Sequence, residues 1–255
     1  MAEILLAHSL KKSRLQLYTE EIRLHPATIS FFWQLVRRCA SGTPLQYLLN
    51  RLDFYGLPFK VSTGCFIPRP ETELLVAAAI NFIKEIPPPQ KILEIGTGCG
   101  AISLVLAHHV PTCMVIATEI SPAALKVAGD NRKRLHLKER VRFYRSDLFP
   151  PGHKNFDLIV SNPPYIPSRE IPTLPVPVRK EPVIALNGGK DGLAVIKRIL
   201  NSAAAYLKPG GVVLLEIGNN QSERLRKRCF SGLRLLFFRK DLAGIERIAI
   251  YRRVF

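Results

Sequence analysis

From residue 91 to the end of the chain, short apolar runs alternate with segments of helical period, and this alternation narrows the fold more than any other feature. Residues 91–95, 113–118, 141–145, 156–161, 211–217, 233–239 and 246–252 read as strands. Residues 100–109, 122–134, 192–206 and 220–230 read as the helices between them. A strand that returns through a helix lies parallel to its neighbour, so the sheet is expected to be mostly parallel, with helices on both faces. Only a short turn region separates the last two strands, which suits an antiparallel hairpin. The expected class is therefore α/β.

The first third of the chain has a different character. Residues 2–10, 14–23 and 26–40 carry Leu, Ala and aromatic residues at helical spacing, and Pro26 suits the first turn of the third segment. Residues 1–50 are expected to form a small helical domain. Residues 51–66 read as a hairpin linker, with Leu52, Phe54, Tyr55, Phe59 and Val61 interrupted by Gly56 and Pro58. Pro68 and Pro70 exclude helix interior, so the next helix begins at Glu71, with Leu74, Leu75, Ala78 and Phe82 on one face. Pro87, Pro88 and Pro89 end it. Residues 67–255 form the main domain.

A chain of 255 residues with 47% hydrophobic content can bury one large core and one small one. No apolar run approaches the roughly 18 residues of a membrane span. Lys11, Lys12 and Arg14 follow the first apolar stretch, the reverse of a secretory signal, so a cytoplasmic location without membrane attachment is expected. The five cysteines are scattered and include no Cys-x-x-Cys pair, which points to free thiols and to no metal site. The formal charge of +17 attracts polyanions and is compatible with weak, non-specific nucleic-acid binding.

Two motifs carry the chemistry. The first, Glu94-Ile95-Gly96-Thr97-Gly98-Cys99-Gly100, joins a strand to a helix. A dinucleotide fingerprint wants a third glycine where Ala101 stands. The spacing favours S-adenosyl-L-methionine, which has no pyrophosphate and needs close backbone approach. Glu119 ends the next strand about 20 residues on, where a carboxylate can accept both ribose hydroxyls. Asp147, after the third strand, can accept from an adenine amino group, and Leu148 can border the ring. The candidate cofactor residues are Gly96, Thr97, Gly98, Cys99, Gly100, Glu119, Asp147 and Leu148.

The second motif is Asn162-Pro163-Pro164-Tyr165, directly after strand 156–161. An amide or aromatic amino nitrogen is a poor nucleophile because its lone pair is delocalised. Two acceptors that hold its hydrogens can turn the lone pair towards a methyl donor. The Asn162 side-chain oxygen and the Pro163 carbonyl can be those acceptors, and Tyr165 can stack on the planar group. Prolines offer no N–H, so this turn presents acceptors. Asn162, Pro163 and Tyr165 are the candidate catalytic residues. The motif serves adenine amino groups in nucleic acid and glutamine amides in protein alike.

Beyond these motifs, Phe54-Tyr55-Gly56-Leu57-Pro58-Phe59-Lys60-Val61 and Phe66-Ile67-Pro68-Arg69-Pro70-Glu71-Thr72-Glu73-Leu74-Leu75-Val76 resemble the HemK/PrmC family. The resemblance continues through Ser146 to Phe149, Glu181-Pro182, residues 188–193, Pro209-Gly210-Gly211, Leu215 to Gly218 and Lys240 to Gly244. It implies a seven-stranded Rossmann-like class I methyltransferase sheet behind a helical substrate-docking domain. It implies S-adenosyl-L-methionine contacts at Gly96 to Gly100, Glu119, Leu148 and Asn162, and substrate contacts at Asn162, Pro163, Pro164 and Tyr165. The implied reaction is methylation of the glutamine in the Gly-Gly-Gln motif of peptide chain release factors. The alternatives are a ribosomal-protein glutamine methyltransferase and a nucleic-acid adenine methyltransferase. The helical domain begins where the family has its second helix, so a shortened domain or an upstream start is expected.

Overall fold

The structure, a computed structural model, describes residues 1–254. The helical segment comprises α1 (Ala2–Leu10), α2 (Gln16–Thr19), α3 (Pro26–Ala40) and α4 (Leu45–Leu49). Leu5, Leu35 and Leu48 form its small buried centre. The helix expected over 14–23 shrinks to the single turn α2, none of whose residues is buried. Without an apolar face to pack, so short a segment has little to hold it helical. The α4 turn was not foreseen; its Tyr47 joins the main core, donating to the Cys65 carbonyl at 2.6 Å.

A two-residue turn links β1 (Leu52–Phe54) to β2 (Leu57–Phe59), with Tyr55 and Gly56 both at positive φ as a tight hairpin requires. The main domain then runs α5 (Thr72–Lys84), β3 (Gln90–Ile95), α6 (Ala101–His109), β4 (Cys113–Glu119), α7 (Pro122–Arg134), β5 (Val141–Arg145) and β6 (Phe156–Ser161). It continues with α8 (Val176–Arg179), α9 (Ala194–Ala203), β7 (Leu207–Glu216), α10 (Ser222–Arg226), β8 (Leu233–Lys240) and β9 (Glu246–Arg253). The seven strands stand in the order β5-β4-β3-β6-β7-β9-β8; β9 is antiparallel to both of its neighbours and the other pairs are parallel. This is the doubly covered sheet expected from the alternation.

Period-two patterning explains the two cores. Ile92, Leu158 and Val160 face one layer, with Leu75, Leu104 and Val127 from α5, α6 and α7. Leu93, Ile95 and Ile159 face the other, with Ile196, Ile199 and Leu200 from α9. Each fully buried Leu or Ile contributes about 1.5–3 kcal/mol from removal of apolar area from water. Helix α10 is shorter than the expected 220–230. Left-handed Asn220 and the buried Gln221 hold its start, and Phe230 turns into the core to pair with Leu233.

Chain order departs from β3 in two directions: first to β4 and β5, then to β6 on the other side. Strands β3 and β6 are parallel neighbours, with Glu94 opposite Val160 and Ile95 opposite Ser161. Their carboxyl ends therefore open on one crevice at the switch point, where ligands of open α/β sheets bind. The Ser161 hydroxyl donates to the Ile95 carbonyl at 2.7 Å and ties the two ends together.

Candidate active site

That crevice is a cavity of about 350 Å³. The loop after β3 forms one wall. Gly96 and Gly98 have φ of +74° and +58°, and a Cβ on either would point into open space. The loop thus offers bare backbone to whatever occupies the cavity. Gly100 differs. It has φ +86°, but a Cβ there would meet Leu104 at 3.0 Å and Ala128 and Phe143 at 3.3 Å. It does not line the cavity; it lets α6 start close against α7 and β5. Thr97 lines the cavity, but its hydroxyl turns inward to Glu94 at 2.5 Å and Ser103 at 3.1 Å. Burial pushes the Glu94 carboxyl up to about 7, against the pull of these bonds.

Glu119 stands at the cavity edge with both oxygens anchored. Oε2 accepts from the Gly98 N–H at 3.0 Å and Oε1 from the Ser121 N–H at 2.9 Å. Each oxygen keeps a free lone pair, so the carboxylate is oriented and still able to accept hydroxyls. Asp147 and Leu148 also line the cavity, Leu148 at φ +70° with its carbonyl accepting from the Thr118 hydroxyl. The Asp147 carboxylate is exposed and engaged by Arg198 at 2.7 Å. Arg198 was not singled out in the sequence, because a helix arginine looks like ordinary solvent-facing charge.

The Asn162 turn forms the opposite wall. Its Nδ2 donates to the Thr72 Oγ1 at 3.0 Å, which leaves Oδ1 free to accept. Pro163 is buried and Pro164 half-buried, and both border the cavity. The Tyr165 hydroxyl donates to the Glu216 Oε1 at 3.4 Å, and burial pushes its pKa up. Gln221 donates to the carbonyls of Tyr165 at 2.9 Å and Gly192 at 3.1 Å. A Cβ on Gly192 would lie 2.4 Å from the Tyr165 carbonyl, so this packing requires glycine. Cys99 faces Cys65 on the cavity floor. Its carbonyl accepts from the buried Asn131, which also brackets the Lys60 backbone at 2.7 and 2.9 Å and fixes the linker to the glycine loop. Asn131, Thr72, Glu216 and Gln221 escaped sequence reasoning because each acts on a chain segment 50 or more residues away.

Residues 166–186 form a strap across the cavity mouth, where Val178, Pro182, Ile184 and Leu186 line it. Glu181, buried, accepts from the Ile67 N–H at 3.0 Å and pairs with Arg69, clamping the strap to the segment before α5.

Two family profiles match the chain: the methyltransferase small domain over residues 72–173 and the PrmC N-terminal domain over residues 1–49. A release factor glutamine methyltransferase of Moorella thermoacetica is 43% identical, covering 99% of this chain and 90% of its own. One from Clostridium acetobutylicum is 36% identical, covering 98% and 89%. The chain belongs to the release factor glutamine methyltransferase family. Among solved structures, a methyltransferase of Pyrococcus furiosus superposes with a TM-score of 0.56 at 20% identity, over 87% of this chain and 99% of that one. A 16S ribosomal RNA methyltransferase of Thermus thermophilus, solved with AdoMet and guanosine, gives 0.55 at 22% identity, over 80% and 50%. These likenesses concern the fold. Family membership gives the chain its cofactor class, that of S-adenosyl-L-methionine-dependent methyltransferases. Among the described residues no helix is long and apolar enough to cross a membrane, and no cluster of His, Cys, Asp and Glu could hold a metal ion.

Proposed function

We propose that this chain transfers a methyl group from S-adenosyl-L-methionine to the side-chain amide nitrogen of the glutamine in the Gly-Gly-Gln motif of peptide chain release factors. The observation that carries the reading is the Asn162 amide: its nitrogen is committed to Thr72, so its oxygen is an acceptor beside the glycine loop. The cofactor, when bound, supplies an electrophilic methyl on a sulfonium. Gly96 and Gly98 would give it close backbone approach, Glu119 would accept its ribose hydroxyls, and Leu148 would border its adenine. Asp147 would hold the adenine amino group with the oxygen that Arg198 leaves free.

On the substrate side, Asn162 Oδ1 and the Pro163 carbonyl would take the two amide hydrogens and turn the nitrogen lone pair inward. Pro164 and Tyr165 would flank the planar group. No strong base is needed if the proton leaves to solvent after transfer. Orientation and proximity lower the barrier by several kcal/mol, on the order of what well-positioned reactants gain. Val183 and Ile184, exposed on the strap beside the cavity, would meet the protein loop that carries the glutamine. Residues 1–50 would grip the same partner as a docking domain, with residues 51–66 as linker and 67–255 as catalytic domain. We place this chemistry in the cytoplasm, where release factors work.

A tritiated-methyl assay offering a release factor, ribosomal proteins, free glutamine and duplex DNA side by side tests the reading. Label is expected on one glutamine of the release factor, with free glutamine a poor substrate because remote binding energy is absent. Label in DNA adenine, with none in the release factor, overturns it.

A further inference from the structure

Behind the Asn162 turn a row of polar groups runs from the cavity into the core. Thr72, 2% exposed at the start of α5, accepts from Asn162 Nδ2 at 3.0 Å. Beyond it lies Glu216, 3% exposed, the last residue of β7. Glu216 Oε1 accepts from the Tyr165 hydroxyl at 3.4 Å, and Oε2 has no partner in good hydrogen-bond geometry. The Thr72 hydroxyl stands near enough to favour the ionised carboxylate. A carboxylate buried at a strand end is costly, and binding the cofactor gives it no task.

We propose that Thr72 and Glu216 are positioning residues that fix which end of the Asn162 amide faces the cavity, a reading that rests on Asn162 as the holder of the target amide. The two ends of a carboxamide are nearly the same size, so packing cannot tell them apart; only hydrogen-bond polarity can. An ionised Glu216 only accepts. It draws the hydroxyl hydrogen of Thr72 towards itself and leaves a Thr72 lone pair for Asn162. Asn162 must then present its NH₂ to Thr72 and its oxygen to the cavity. The reversed amide would set an NH₂ donor against the NH₂ of the target, and the target would not be held.

The arrangement makes the reaction sensitive to pH. The groups facing Glu216 are Thr72 from the start of α5, Glu71 just before it, Tyr165 from the turn after β6, and Arg247 from β9, itself bound to Asp241 at 2.9 Å. Burial, reinforced by Glu71, raises the carboxyl to about 7 against the pull of Thr72, Tyr165 and Arg247. Once protonated, Glu216 can donate to Thr72, whose own hydrogen is then free to reach Asn162 Oδ1. Turnover should therefore fall as pH drops through about 7.

The test uses the full chain with a whole release factor and compares Thr72→Val, Thr72→Ser, Glu216→Gln and Asn162→Ala. Thr72→Val, close to isosteric, is expected to lose roughly 10- to 100-fold in kcat, the cost of a misplaced reacting group. Its KM and its calorimetric affinity for S-adenosyl-L-methionine should stay close to the parent values. Thr72→Ser should restore most of the turnover, and Glu216→Gln should abolish the acid limb of the kcat profile. Parent-like kcat in Thr72→Val, or an intact acid limb in Glu216→Gln, overturns the proposal. Should Glu216→Gln fail to fold, the Thr72 pair decides alone. Full activity in Asn162→Ala removes the underlying reading; an inactive Asn162→Ala beside an unaffected Thr72→Val removes only the positioning role.

Discussion

At the residue scale, the proposed function assigns Glu119 to the cofactor and Asn162 to the target amide, and single substitutions should separate the two roles. Asn162→Ala should lose about 100-fold or more in turnover, as when a positioned polar group is removed from an active site. Circular dichroism should show an intact fold, because Asn162 lies just beyond the end of β6. Near-normal methylation by this variant would sink its assignment. Glu119→Ala should instead weaken binding of S-adenosyl-L-methionine by about 2–3 kcal/mol, the scale of two bonds to a charged acceptor. Part of that loss comes through the loop, since the Gly98 N–H also loses its acceptor. Unchanged calorimetric affinity would place the ribose elsewhere.

At the element scale, the glycine loop is one turn doing two tasks, and its glycines should respond differently. Gly98→Ala puts a methyl into the cavity and strains a backbone at φ +58° by about 1–2 kcal/mol. Cofactor affinity should fall more than stability. Gly100→Ala adds the same kind of strain and also presses on Leu104, Ala128 and Phe143, so thermal stability should fall first. Paired thermal melts and calorimetry check this. Equal loss of affinity in both variants would mean that Gly100 also contacts the cofactor. The loop and the turn were legible in the sequence because each is a local break in an apolar pattern. The strap over residues 166–186 is held across the cavity by the Glu181 clamp to Ile67 and Arg69, more than 100 residues away.

At the scale of the whole molecule, two buried carboxyls, Glu94 beside the crevice and Glu216 behind the Asn162 turn, are both raised from 4.5 to about 7. These two carboxyls therefore hold more protons in the folded chain than in the unfolded chain between pH about 4.5 and 7, and their contribution to stability falls as pH rises through that window. Gln at position 216 mimics the protonated form. The melting temperature of Glu216→Gln relative to the parent should thus be higher at pH 8 than at pH 5. Equal differences at the two values would show that the carboxyl is not protonated in the fold. The basic surface belongs to the same scale. Arg142 and Arg145 stand exposed on edge strand β5, Arg234 and Lys240 on edge strand β8. Charges so placed discourage edge-to-edge pairing, and their dispersal fits diffuse attraction to polyanions. Any binding of duplex DNA should fall steeply with salt and bring no methyl transfer, which a salt titration beside the label assay measures.

The sequence by itself determined the strand and helix alternation, the order of the two motifs and the residue types at the crevice, because period and backbone conformation are local properties. It also carried enough resemblance to name the cofactor and the class of target. Only the tertiary structure decided that Gly100 packs while Gly96 and Gly98 face the cavity, and that Thr72 and Glu216 stand behind Asn162. The first rests on Leu104, Ala128 and Phe143, which reach Gly100 only once α6, α7 and β5 have packed, and the second on pairings 51 and 90 residues apart, Tyr165 with Glu216 and Asn162 with Thr72. Pairings at that range are set by sheet order and helix packing, and no local pattern encodes them.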